Sequence, residues 1–317
     1  MKKKTWGFLI CLLLVFPLWA RAADYPIKPI EVIVPWQAGG GSDIGTRLLA
    51  SAAKKVIPQP LVVVNKPGAS GEIGCTALAQ AKPYGYTIGL INPPTTVLLP
   101  LQRNTTYKMT DFRYIINVME DIGCLCVRTE SPFKTVEDLV KYAKGKPREL
   151  TVGNAGAGSD AHMLSMDFAK KANILITPVP LTGGGEARTV LLGGHIDAAV
   201  MKVGEAQPFV ESKQIRILAV AAGERVKDFP KIPTLKERGI NTAMTVTRAI
   251  AGPAGIPESV VQYLHDRLKK VVDDPEFIEQ TQKIGVYAKY ISPADYKKYI
   301  ADIEETYGPM WKEINKN

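Results

Sequence analysis

Two glycine-rich stretches are placed where backbone amides, rather than side chains, could do chemistry. The first runs Val34-Pro35-Trp36-Gln37-Ala38-Gly39-Gly40-Gly41-Ser42-Asp43, the second Val152-Gly153-Asn154-Ala155-Gly156-Ala157-Gly158-Ser159. Each follows a short β-rich run and opens a helical pattern. Glycine lets a backbone approach a ligand closely and take positive φ. The helix behind it aims free N–H groups and the positive end of its dipole at the same spot, so the chemistry on offer is anion binding. One such loop could be no more than a serine cap, Ser42 or Ser159, behind a flexible turn. Two of them in separate strand–helix blocks point to two lobes, each presenting a jaw to one anionic guest.

Catalytic and metal-binding patterns fail. The Gly39–Gly45 stretch lacks dinucleotide spacing, and no phosphate-loop lysine motif is present. Gly68-Ala69-Ser70-Gly71 is one residue short of a nucleophile elbow. The histidines His162, His195 and His265 fall in different segments without ligand spacing, so neither metal nor cofactor is expected. His265 and His195 read as structural or solvated. His162 directly follows the second jaw and either lines a site or supports its loop. An exported hydrolase using Ser42/Asp43 or Ser159/His162 remains the alternative to a binding protein.

The elements that position these loops alternate. Runs at Glu31–Val34, Leu61–Val64, Tyr86–Ile91, Leu150–Gly153, Ile196–Val200 and Ile215–Val220 read as strands. Helical periodicity follows from Asp43, from Thr135 with its capping box, from Ser159 and from Glu205. A long apolar run spans Tyr114 to Val127. Such alternation means βαβ units and parallel sheets. The last third is helical, with an apolar stripe after Pro257 and another after Ser292-Pro293.

The chain has 317 residues and a formal charge of +9. Lys2, Lys3 and Lys4, the apolar stretch Trp6–Trp19 and Ala20-Arg21-Ala22 read as a secretory signal peptide cleaved after Ala22, making the mature protein periplasmic. Cleavage removes four of the basic residues and leaves a mild positive excess, suited to anionic solutes and too sparse for nucleic acid. Cys75, Cys124 and Cys126 then remain; an odd number rules out a full disulfide framework, and Cys124 and Cys126 read as buried small hydrophobes.

An ordered set of short motifs resembles the tripartite tricarboxylate transporter solute receptors, the TctC/Bug family. Val34, Pro35, Trp36, Gly39, Gly40, Asp43 and Arg47 follow its first-jaw pattern, with Ala38 replacing the usual proline. Asn65–Gly71, Ala81–Thr87 (with Tyr84 for the usual Asp), Gly156–His162, Val179–Gly185 and Gly252–Pro257 are similar to its further markers, in the family's order. The resemblance implies a type II periplasmic-binding-protein-like α/β fold, two doubly wound lobes around a cleft with two hinge crossings. It also implies a small carboxylate ligand, aromatic or di/tricarboxylic, and delivery to a membrane permease by a receptor expected to be monomeric. By this carry-over, residues 1–22 are the signal, 23–121 plus 242–317 one lobe and 122–241 the other. A co-receptor for a sensor kinase would keep the same fold and site.

Expected ligand contacts are then Trp36, Gly39, Gly40, Gly41, Ser42 and Asp43 of the first jaw, and Asn154, Ala155, Gly156, Ala157, Gly158, Ser159 and His162 of the second. Asn92 and Thr95 join them because they follow a strand end, where α/β sites form. Lys202 is a cation candidate on the same ground. Arg248 stands just before Gly252–Pro257, where many family members carry an aromatic, and its guanidinium is expected to read a second carboxylate.

Overall fold

The computed structural model describes residues 25–314; the signal peptide, its cleavage point and Cys11 lie outside them. In chain order the elements are β1 (Ile30–Val34), α1 (Gly41–Ala53), β2 (Leu61–Asn65), α2 (Glu72–Ala79), β3 (Thr87–Ile91), α3 (Thr95–Gln102), β4 (Phe112–Arg128), α4 (Val136–Gly145), β5 (Thr151–Asn154) and α5 (Asp160–Ala172). They continue as β6 (Thr177–Pro180), α6 (Gly184–Leu192), β7 (Ala198–Lys202), α7 (Val203–Glu211), β8 (Ile215–Val220), β9 (Thr245–Pro253), α8 (Glu258–Val272), α9 (Pro275–Lys283), β10 (Tyr287–Ala288) and α10 (Pro293–Ile314).

The strands run in the order β2-β1-β3-β9-β4-β7-β5-β6. β1 is parallel to β2 and β3, and β5 to β6 and β7, as helical crossovers require. β9 and β4 are antiparallel to their neighbours and join the two parallel groups. β4 exchanges partners along its length: Phe112–Ile122 pairs with β9, whereas Gly123–Cys126 pairs with β7. That exchange makes the long apolar run part of a 17-residue strand serving two lobes.

Each lobe has its own core. Ile30, Val32, Leu49, Leu90 and Leu264 form one in the first lobe, under α1 and α8. Leu139, Val152, Leu164 and Phe168 anchor another in the second, under α4 and α5, with Cys124 and Cys126 in a third beneath α7. All three described cysteines are free and buried. α10 departs from the simple division of the chain. It starts on the first lobe with Tyr296 beside Ile91 and Ala249, then packs Ile303, Tyr307 and Met310 into the core of the second. Its apolar stripe is therefore split between two cores, which no helical period announces.

Candidate functional site

Helix α1 begins at Gly41, two residues earlier than the periodicity places it, so the last jaw glycine is already helical. Gly40 is the N-cap and no side chain caps the helix. The first intrahelical bond is Ile44 N–H to the Gly40 carbonyl, at 2.9 Å. The amides of Gly41, Ser42 and Asp43 precede it and have no partner within the helix. Gly39 holds φ at 80°, and Gly39, Gly40 and Gly41 are exposed.

The Asp43 carboxylate is turned into the protein. It is buried, accepting from Gly39 N–H at 2.8 Å, from Asn65 Nδ2 at 3.0 Å and from Arg47 Nε at 2.9 Å. Burial pushes its carboxyl up, but the bonds from Arg47, Gly39 and Asn65 outweigh that and hold it below the usual carboxylate range. The residue fastens the loop from beneath. Trp36 is half-buried against Gly71, packs on the first-lobe core, and gives its carbonyl to Asn65 Nδ2 at 3.1 Å. Ser42, rather than capping α1, accepts from Asn92 Nδ2 at 3.1 Å. Asn92 is buried, and its Oδ1 has no hydrogen-bond partner. Thr95, half-buried, opens α3 beside it.

The second jaw is built from its own backbone. Asn154 ends β5 and accepts from Gly156 N–H at 3.1 Å, while its buried Nδ2 is left unpartnered. Ser159 caps α5, accepting from His162 N–H at 3.1 Å. The His162 ring supports the loop: Nδ1 accepts from Gly158 N–H at 3.0 Å. Burial lowers its pKa, which keeps the ring neutral and able to accept. Gly156 and Gly158 sit at φ 121° and 74°, conformations that glycine takes without strain. Ala155 packs against the second-lobe core, and Ala157 is exposed.

Side chains from other elements hold each jaw from within. Gln102 Nε2, at the end of α3, donates to the Gly158 carbonyl at 3.0 Å. Arg248 on β9 donates from Nη1 to the Gly41 carbonyl and from Nη2 to Asp121 of β4, both at 2.5 Å. Lys202, at the end of β7, is ion-paired with Asp160 in the first turn of α5. Burial pulls the Lys202 ammonium below its ordinary range, while Asp121 and Glu205 oppose that shift and Arg248 adds to it. Two separate groups result, Gly41–Arg248–Asp121 at the start of α1 and Lys202–Asp160 at the start of α5, and Asp121 acts on Lys202 only through its charge.

Both cations are compensated inside the protein. Arg248 is 4% exposed and its Nε has no partner. In this structure its Nη atoms are given to the Gly41 carbonyl and to Asp121, beneath the first jaw. Sequence reasoning missed Asp121, Asp160 and Gln102 as parts of this arrangement. Glu120 and Asp121 are the acids within the Tyr114–Val127 apolar run, and that was the available signal. A third glycine loop, noted only as a family marker, also belongs here. Leu181 N–H donates to the Asn154 carbonyl at 3.1 Å, and Gly183-Gly184-Gly185 open α6. Among the described residues no histidine, cysteine or acidic group forms a metal-binding cluster.

Comparison with solved structures defines the class. A TctC solute-binding protein from Polaromonas superposes with a TM-score of 0.80 at 33% identity, over 92% of this chain and all of that one. An R. palustris protein solved with adipate gives 0.76 at 25% identity, over 90% of this chain and 99% of the other. The fold is that of a two-lobed solute-binding protein. A Cupriavidus necator protein encoded in the gbd 5′ region is 33% identical over 92% of this chain and 88% of its own length. Residues 46–316 match the tripartite tricarboxylate transporter family receptor model, and the chain belongs to that family.

Proposed function

We propose that the protein binds a small organic carboxylate between its two glycine jaws and hands it to a membrane permease. The observation that carries this reading is a pair of glycine loops, each opening a helix whose first turn is held from inside the protein, by Arg248 and Asp121 under α1 and by Lys202 on Asp160 at α5. Unsatisfied amides at two dipole ends favour a negative guest. The adipate held by the R. palustris relative is a guest of that chemistry. Magnitudes agree: micromolar affinity needs about 8 kcal/mol. Hydrogen bonds to a charged group contribute roughly 1.5–3 kcal/mol each. Four or five amides can reach that total after the cost of closing the cleft.

Hydrolysis finds less support. Ser159 Oγ is spent on the His162 backbone, and the His162 ring on Gly158, so serine and imidazole are not paired for attack. Export with cleavage after Ala22 fits the receptor role; no described helix is long and apolar enough to cross a membrane.

Thermal unfolding of the mature protein with adipate, malate, benzoate, glucose and the neutral adipic diamide tests the reading. At least one acid should raise the melting temperature in a concentration-dependent way, with the diamide and glucose inert. Stabilisation by the neutral solutes alone would overturn it.

A further inference from the structure

Consecutive residues of a strand point to opposite faces, and this divides the surroundings of the hinge. Asp121 and Arg248 turn towards the first jaw. Glu120 on β4 and Thr245 on β9 turn the other way, into a cavity of about 850 Å³. One wall is β10 of the first lobe, another the loop after β8 of the second, and a third the middle of α10. None of the jaw glycines lines it.

Its charges do not cancel as those between the jaws do. Of the cations lining it, Lys171 is bound to Asp167 at 2.8 Å and Arg225 to Glu237 at 2.9 Å. Glu120, Glu224 and Asp302 line it with no cation within ion-pairing distance among the described residues. Against these three carboxylates stand Lys227 and Lys289, both exposed and also without an ion-pair partner among the described residues. With the two salt-bridged cations set aside, three carboxylates thus face two lysines, an excess of one negative charge. Glu120 is the one carboxylate on the floor, on the hinge strand itself. Desolvation raises its pKa, Lys289 and Thr245 only partly oppose this, and Asp121 and Glu224 reinforce it. Such a carboxylate gains most from a cation arriving in the cavity. Two tyrosines flank it. Tyr299 donates its hydroxyl to the Thr245 carbonyl at 2.7 Å, and Tyr287 has its buried hydroxyl beside Asp228. Their rings offer the aromatic surface that ammonium and guanidinium groups favour.

We propose that this cavity is a second ligand site, for a small organic cation bearing a primary ammonium or guanidinium group, with Glu120 as its charge partner and Tyr287 and Tyr299 as its walls. The volume falls in the range of small-molecule sites, about 300–1,000 Å³. The site is independent of the carboxylate reading, since it shares no residue with the jaws.

The test is a methyl-detected NMR titration of the full mature protein with putrescine and benzylamine, using butanol and benzyl alcohol as neutral counterparts. At least one amine should shift the methyls of Ile122, Met244, Ile278 and Ile303 along a saturable curve, and the alcohols should not. Glu120→Gln should weaken that amine about tenfold or more, as loss of one charged hydrogen-bond partner implies, while Glu120→Asp keeps most of the affinity. The proposal is overturned if neither amine saturates these methyls, if the alcohols do so equally, or if Glu120→Gln binds as tightly as the parent. The wild-type comparison of amine with alcohol decides the matter even if the Gln variant fails to fold.

Discussion

A guanidinium that is 4% exposed, with its Nη atoms given to Asp121 and to the Gly41 carbonyl, cannot lose either partner cheaply. Removing one member of a buried pair leaves an uncompensated charge and typically costs about 3–5 kcal/mol. Arg248→Met should cost that much in urea unfolding, and the double variant Arg248→Met/Asp121→Leu should recover part of the loss. Because the arginine holds the jaw from inside, a destabilised but folded variant should lose mono- and dicarboxylates in equal proportion. A selective loss of dicarboxylates would restore the sequence-based expectation that Arg248 reads a second carboxylate. His162 carries a pH signature. The unfolded chain takes up a proton near pH 6.5, whereas burial keeps the native ring neutral to lower pH. Stability should therefore be level above that value and fall as pH drops towards the native pKa. His162→Gln should flatten this slope when urea midpoints at about pH 7.5 and 5.5 are compared; an unchanged slope would mean that another group sets it.

Helix α5 and the loop before it show what an element contributes. Ser159→Ala removes the cap and should cost about 1 kcal/mol of stability. Gly158→Ala asks a non-glycine residue to hold φ at 74° and brings its Cβ to 2.7 Å from Gln102 Nε2. About 1–3 kcal/mol of strain is expected, with weaker acid binding at unchanged secondary structure. Both are measurable by urea unfolding and calorimetry. At this scale much was legible in the sequence. Strand runs and helical stripes are local patterns, and both jaws appear as glycine clusters between them. The boundary of α1 was not, because Gly41 has no side chain to declare a period. Nor were the tasks of Asp43 and Ser42. Asn65 and Asn92 reach them from other strands, through contacts made only when the sheet forms. Gln102 and Asp121 were missed for the same reason.

For the whole molecule, β4 and β9 are at once the connection between the lobes and the divide between two environments. One face carries paired charges beneath the two glycine loops, the other a cavity lined by Glu120, Tyr287 and Tyr299. α10 adds a third link by packing into both cores, beside the two strands. Weakening its grip on the second lobe with Tyr307→Ala should lower stability by about 3–5 kcal/mol, as large-to-small core changes do, read by urea unfolding. A loss below about 1 kcal/mol would contradict the packing of Tyr307 into that core. That dual packing was illegible in a continuous apolar stripe. The two-lobed plan, in contrast, followed from the paired glycine loops and the order of the family markers.

The central claim is that the loops at Gly39–Ser42 and Gly156–Ser159 grip the same carboxylate-bearing guest. Backbone-amide NMR of the mature protein during titration with the acid that most raises its melting temperature tests this most directly. The amides of both loops should shift together, along one isotherm with one dissociation constant, and stay unmoved when the neutral diamide of that acid is added. Shifts confined to a single loop, or equal shifts with the diamide, would contradict the account.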